Sequence, residues 1–84
     1  MDLRAVIQLY AAANSWPERT PEQVAHVLDV FPAVGAWDGD RLIGFARAIT
    51  DSEFRAYIED VTVDPGFRHQ GVATAVLREL LALL

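Results

Sequence analysis

Apolar residues recur at helical spacing near the start of the chain. Leu3, Val6, Ile7 and Tyr10 lie three and four positions apart, the period of a helix with one buried face. The alanines among them favour helix, so the pattern predicts a helix over about residues 2–13. Asn14-Ser15-Trp16-Pro17 breaks it. Thr20 then begins a second helix. It can cap, Pro21 suits the first helical position, and Gln23 completes a T-x-x-Q capping box. Val24, Val27 and Leu28 supply the apolar stripe, and Pro32 ends the run.

From there the period changes. Residues 34–37 read as a short strand, Asp38-Gly39-Asp40 as a tight hairpin turn, and residues 41–50 as the returning strand. Asp51-Ser52 turns the chain again. Residues 55–63 are rich in β-branched and aromatic side chains and read as a third strand. A polar loop, Asp64 to Gln70, leads into a helix from about Gly71 onward. The order α-α-β-β-β-α makes an α+β layout, an antiparallel meander packed by helices. Phe45 and Phe54 are expected in the core. The closing run Leu80-Leu81-Ala82-Leu83-Leu84 has no glycine cap and no polar tail, and is expected to be buried against something.

Composition narrows the possibilities. The 84 residues suit one small domain. A hydrophobic content of 52 % excludes a disordered chain. With no cysteine, disulfides and thiolate metal sites are excluded. His26 and His69 are too far apart in sequence to make a metal-ligand pair, so no metal is expected, and His26 reads as a surface residue. The net charge of −5 argues against a nucleic-acid partner, which demands a basic face. No apolar run is long enough to span a bilayer, and the first residues lack a signal peptide's pattern. A soluble, cytoplasmic protein with no membrane partner is the expectation. All seven basic residues are arginine. Arg47 and Arg55 read first as surface residues, with contact to an acidic substrate or a phosphate as the alternative.

Chemistry is concentrated in residues 61–74. A strand ends at Asp64-Pro65, and Arg68-x-x-Gly71-x-Ala73 opens the last helix. The first N–H groups of a helix lack internal partners, and the helix dipole puts partial positive charge there. Gly71 and Ala73 leave the backbone open to close approach, and Arg68 with His69 adds charge at the rim. This is the make-up of an anion site. Neither G-x-x-x-x-G-K-[ST] nor G-x-G-x-x-G is present.

Pro65-x-x-Arg68-x-x-Gly71-x-Ala73, behind the Val61-Thr62-Val63 strand end, resembles motif A of the GNAT superfamily, [Q/R]-x-x-G-x-[G/A]. Gly44 to Asp51 likewise looks like a strand of that fold, and the resemblance extends over essentially the whole chain. It implies a truncated GNAT-like fold, a single partial domain over residues 1–84. The usual first strand would be reduced before Met1, and the elements forming the other wall of the cleft would be absent after Leu84. It also implies acetyl-CoA as acyl donor, with an acetyl group passed directly to a primary amine of a small molecule or a protein. The pantetheine arm would run along the backbone of Val61-Thr62-Val63. The pyrophosphate would meet N–H groups of His69, Gln70, Gly71, Val72, Ala73 and Thr74, with Arg68 beside them.

Strand alternation puts Tyr57, Glu59, Val61 and Val63 on one face. Counted back from Arg68, Glu59 and Tyr57 match positions where some family members carry a base. Glu59 is the first candidate for a general base acting through water. Asp60 replaces it should a bulge shift the alternation. For these carboxylates the plain alternative is a solvated or hydrogen-bonded strand residue. Tyr10 and Trp16 read as core, with a substrate pocket as the alternative. The competing function is a non-catalytic CoA-binding or interaction module that pairs with another chain. Either way, a homo-oligomer is expected, most simply a two-fold dimer through the open strand edge and the apolar last helix.

Overall fold

The computed structural model describes residues Met1–Leu84. Its elements run α1 (Leu3–Ala12), α2 (Pro21–Val30), β1 (Ala33–Asp38), β2 (Arg41–Thr50), β3 (Ala56–Val63), a 3-10 turn (Pro65–Phe67) and α3 (Val72–Leu83). The α+β order expected from the hydropathy pattern is the order found. Local chemistry explains the starts. The Asp2 carboxylate caps α1 by accepting from the N–H groups of Arg4 and Ala5. Thr20 and Gln23 form a complete reciprocal capping box on α2, which satisfies two otherwise orphaned N–H groups. The β1–β2 hairpin turns on Gly39, whose φ of +61° is one that glycine adopts without steric penalty.

The sheet is antiparallel in the order β1-β2-β3. β2 is central, and Leu42 through Ala48 are all buried. A cluster of Ala5, Val6, Leu9, Tyr10 and Val24 packs on Leu42 and Phe45 on one face. On the other face Val76 and Leu80 of α3 pack on Ala46 and Ala48. The small side chains of β2 bring α3 down close to the strand. A Cβ on Gly44 would overlap Cγ1 of Val72 in the first turn of α3.

Two irregularities break the simple alternation. Ala36 pairs with Gly44 but Trp37 pairs with Leu42, which leaves Ile43 extra in β2. Glu59 pairs with Arg47 but Thr62 pairs with Phe45, which sets Asp60 and Val61 opposite Ala46 alone. At this second bulge Asp60 takes φ +58°, a left-handed conformation that aspartate tolerates better than most residues. Tyr57, Glu59, Val61 and Val63 therefore do not share one face. Tyr57 and Glu59 sit opposite Ile49 and Arg47 on the α1/α2 side, whereas Val63 sits opposite Gly44 on the α3 side.

The bulge is held by its own side chain. Asp60 is buried, and its Oδ2 accepts from Tyr10 Oη at 3.1 Å, Arg19 at 2.7 Å and Arg47 Nε at 2.6 Å. One oxygen thus ties α1, the α1–α2 loop, β2 and β3 together. Burial alone would raise the Asp60 carboxyl pKa, but the hydrogen bonds and charges of Arg19 and Arg47 outweigh it and hold the group below its ordinary value. Burial first, and then the Asp60 charge, pushes Tyr10 up to about 12, so Tyr10 stays protonated as the donor.

Three expectations need correction. Phe54 is not core but 88 % exposed. The Asp51 carboxylate accepts from the N–H groups of Glu53, Phe54 and Arg55, which closes the loop locally and turns Phe54 outward. Arg47 is not a surface residue but 7 % exposed, drawn in by Asp60. Of the Leu80–Leu84 run only Leu80 is buried, while Leu81, Leu83 and Leu84 are exposed, because one stripe of α3 faces the sheet.

Two outcomes are expected. Leu80→Ala should lower unfolding stability by about 3 kcal/mol, and Leu81→Ala by less than about 0.5 kcal/mol, as read from urea midpoints. Because the folded Asp60 pKa lies below its unfolded value of about 3.9, its contribution is complete above that pH and disappears as pH falls through the folded value. Asp60→Asn should cost about 3 kcal/mol at pH 7 and flatten the loss of stability below about pH 4. Identical acid unfolding profiles for the two proteins would remove Asp60 from this role.

Candidate active site

β3 pairs only with β2, so the outward-facing half of its N–H and C=O groups has no strand partner. Past its end, the Asp64 carboxylate accepts from the Gly66 N–H and from Arg41. These bonds, the Gly66 one foremost, hold its pKa below the ordinary range. They also fix the 3-10 turn that carries the chain from strand to helix. His69 and Gly71 then take φ +65° and +82°, and α3 begins without a side-chain cap. No N–H from Arg68 through Thr74 donates a hydrogen bond to the backbone of the chain. A Cβ built on Gly71 would meet nothing within 4 Å. The start of α3 is therefore a row of free donors facing open space, at the positive end of the helix dipole.

A groove of about 480 Å³ runs along this edge. It is lined by Val61, Thr62 and Val63 from β3, by Phe67, Arg68, His69 and Gly71 from the loop, and by Val72, Ala73 and Thr74 from α3, with Ala13 and Ser15 closing the far side. Residues singled out in the sequence as cofactor-binding are thus brought together in one depression. Gln70 is exposed but does not line it. The groove offers a strand edge for an amide-bearing arm at one end and free N–H groups for an anion at the other.

The catalytic candidates lie at the strand end away from the phosphate loop. Glu59 and Tyr57 are exposed on the α1/α2 side of β3. Asp60 faces the same side but is enclosed by two guanidinium groups and a hydroxyl. A carboxylate so stabilised in its charged form is a poor proton acceptor, whereas Glu59 is exposed. Arg55 is exposed.

Arg19 was not singled out in the sequence, while Tyr10 and Trp16 were given a substrate pocket, and Arg47 an acidic substrate or a phosphate, only as alternatives to core and surface roles. The α1–α2 loop brings them to this end of the site through two non-glycine residues with positive φ, Asn14 at +54° and Trp16 at +47°. Such a conformation is unfavourable for a bulky side chain. Trp16 is held there by the edge of Tyr10, with ring centroids 5.1 Å apart, and by the Arg19 guanidinium 4.4 Å from its ring. A cavity of about 220 Å³ opens beneath this loop, lined by Tyr10, Ser15, Trp16, Arg19 and Val24 among others. Ser15 borders both this cavity and the groove along β3. The one cue in the sequence was the aromatic pair Tyr10 and Trp16 beside a helix break.

Known proteins resemble this chain in sequence and fold. The model of the acetyltransferase (GNAT) family matches residues 3–84. A probable acetyltransferase, TAP2 of Glycine max, is 35 % identical over 83 residues, covering 84 % of this chain and 34 % of that protein. The chloroplastic GCN5-related N-acetyltransferase 2 of Arabidopsis thaliana is 34 % identical over 87 residues, covering 96 % of this chain and 34 % of the relative. The chain thus spans about a third of the length of these curated relatives. Among solved structures, the GNAT family protein SP0256 from Streptococcus pneumoniae superposes with a TM-score of 0.82 at 28 % identity, over 98 % of this chain and 60 % of that one. A probable acetyltransferase from Staphylococcus aureus shares the fold with a TM-score of 0.85 at 24 % identity, over 96 % of this chain and 61 % of that one. With the helix start, the strand edge and the family model all in agreement, the chain belongs to the GNAT family of acetyltransferases.

Proposed function

We propose that this protein transfers an acetyl group from acetyl-CoA directly to a primary amine. The observation that carries the reading is the row of unbonded N–H groups from Arg68 to Thr74 at the end of a groove whose other wall is the β3 edge. A pyrophosphate suits those donors, with Arg68 and His69 beside them. The pantetheine amides suit the free backbone of Val61 and Val63. An extended arm laid this way brings the thioester toward the bulge at Asp60, beside Glu59.

In the reaction the amine nitrogen attacks the thioester carbonyl, a C–N bond forms and the C–S bond breaks. The amine must lose a proton, which Glu59 takes through water, and the departing thiolate gains one. No nucleophilic side chain is needed, in keeping with a chain that has no cysteine. The cavity beneath Trp16, adjoining the groove at Ser15, is the place we assign to the acceptor. The acceptor class is a small-molecule amine or a protein amine. We propose further that the protein works in the cytoplasm as a two-fold homodimer, for which the exposed Tyr57 and Ile58, on the half of the open β3 edge away from the groove, are the supporting features. Sedimentation that gives a monomer at every concentration would overturn the dimer.

Calorimetry with acetyl-CoA and a thiol-release assay over a panel of amines test the main reading. Gly71→Glu should weaken acetyl-CoA binding by at least about tenfold, since it puts bulk and negative charge at the anion position. Glu59→Gln should lower kcat by about a hundredfold and leave acetyl-CoA binding unchanged. Binding without turnover on any amine would reject catalysis and keep the cofactor site. Unchanged affinity in Gly71→Glu would remove the site from this loop.

A further inference from the structure

Arg47 is a buried cation with unused bonding capacity. It is 7 % exposed, and its Nε donates to Asp60. Its NH1 is buried and has no hydrogen-bond partner in the chain. A buried donor left unpaired is destabilising, more so when charged. Arg19 and Arg47 share the single carboxylate of Asp60, and Tyr10 keeps its proton, so the cluster carries one net positive charge.

This cation borders an open groove of about 720 Å³ between α2 and β2, lined by Arg47, Arg19, Val24 and the outer residues of α2. Glu18 and Glu22 on its rim are exposed and form no salt bridge with either arginine. Arg19 and Val24 also line the cavity beneath Trp16, so the groove and the space assigned to the acceptor share a wall. Glu59, the proposed base, is the direct cross-strand partner of Arg47, which puts their Cβ atoms about 5 Å apart on one face.

From this juxtaposition we infer that the acyl acceptor carries a carboxylate, bound by the Arg47 guanidinium through its unpartnered NH1 while its amine lies at Glu59. A planar guanidinium with spare N–H groups matches a carboxylate in shape and charge. The short span between Arg47 and Glu59 fits an amine and a carboxylate separated by only a few bonds, as in a free amino acid. This inference rests on the acceptor placement proposed above, and its test is arranged to fail separately.

The first arm is binding, without acetyl-CoA. The chain is titrated with amino acids and with the matching decarboxylated amines, followed by NMR of backbone amides and arginine side-chain NH groups. The amino acids should bind at least about tenfold more tightly than the amines and shift the Arg47 side-chain signal. Arg47→Lys keeps a positive charge opposite Asp60 but loses the fork, and should lose that preference while keeping its fold by circular dichroism. Arg47→Gln serves as a second variant with the same expected loss. The second arm is the steady-state assay, in which Arg47→Lys should raise KM for amino acids by about tenfold more than it raises KM for the decarboxylated amines. Equal affinity of the wild type for the two ligand classes, or a preference surviving in Arg47→Lys, overturns the inference. An absence of acetyl-CoA binding overturns the transferase reading alone, since the first arm does not use the cofactor.

Discussion

A single carboxylate oxygen organises this protein. Asp60 Oδ2 accepts from Tyr10, Arg19 and Arg47, groups carried by α1, the loop after it and the central strand. Removing a carboxylate from water is unfavourable, and the two guanidiniums offset that only because their geometry is short and direct. The left-handed backbone at Asp60 is what aims the side chain inward. The bulge and the ion cluster therefore depend on each other. Without the extra residue the carboxylate would not reach the arginines, and without the arginines it would not stay buried.

The same bulge divides β3 into two working halves. On one side of it, Val61 to Val63 run along the groove toward the free amides of α3. On the other, Glu59 and Tyr57 turn toward the α1/α2 side. The proposed cofactor arm and the proposed base thus occupy one strand without competing for the same face. The α1–α2 loop completes the arrangement, because Ser15 stands where the groove and the cavity beneath Trp16 meet.

Much of this was legible in the residues. The capping box at Thr20 and Gln23, the Gly39 turn and the Arg68-x-x-Gly71-x-Ala73 helix start are local features, set by a few adjacent side chains. They were read at their true positions. What escaped was decided at a distance. Arg47 is buried because Asp60, thirteen residues on, neutralises it, and no window along the chain shows that pairing. Simple alternation put Tyr57, Glu59, Val61 and Val63 on one face, whereas a single extra residue reverses the order. Phe54 was assigned to the core on hydropathy, yet the Asp51 hydrogen bonds outweigh the pull of one aromatic ring at a loop tip.

The bed of small side chains beneath α3 has a consequence for evolution. Gly44, Ala46 and Ala48 let the helix settle close to the strand, and its first turn carries the free N–H groups proposed to meet the phosphates. Substrate arms of fixed length demand a fixed span from diphosphate to reacting carbonyl. The depth of that seat is therefore a ruler. Enlarging any of these three residues would lift the helix and shift the far end of the ligand past its acceptor, so they should drift more slowly than their plain chemistry implies.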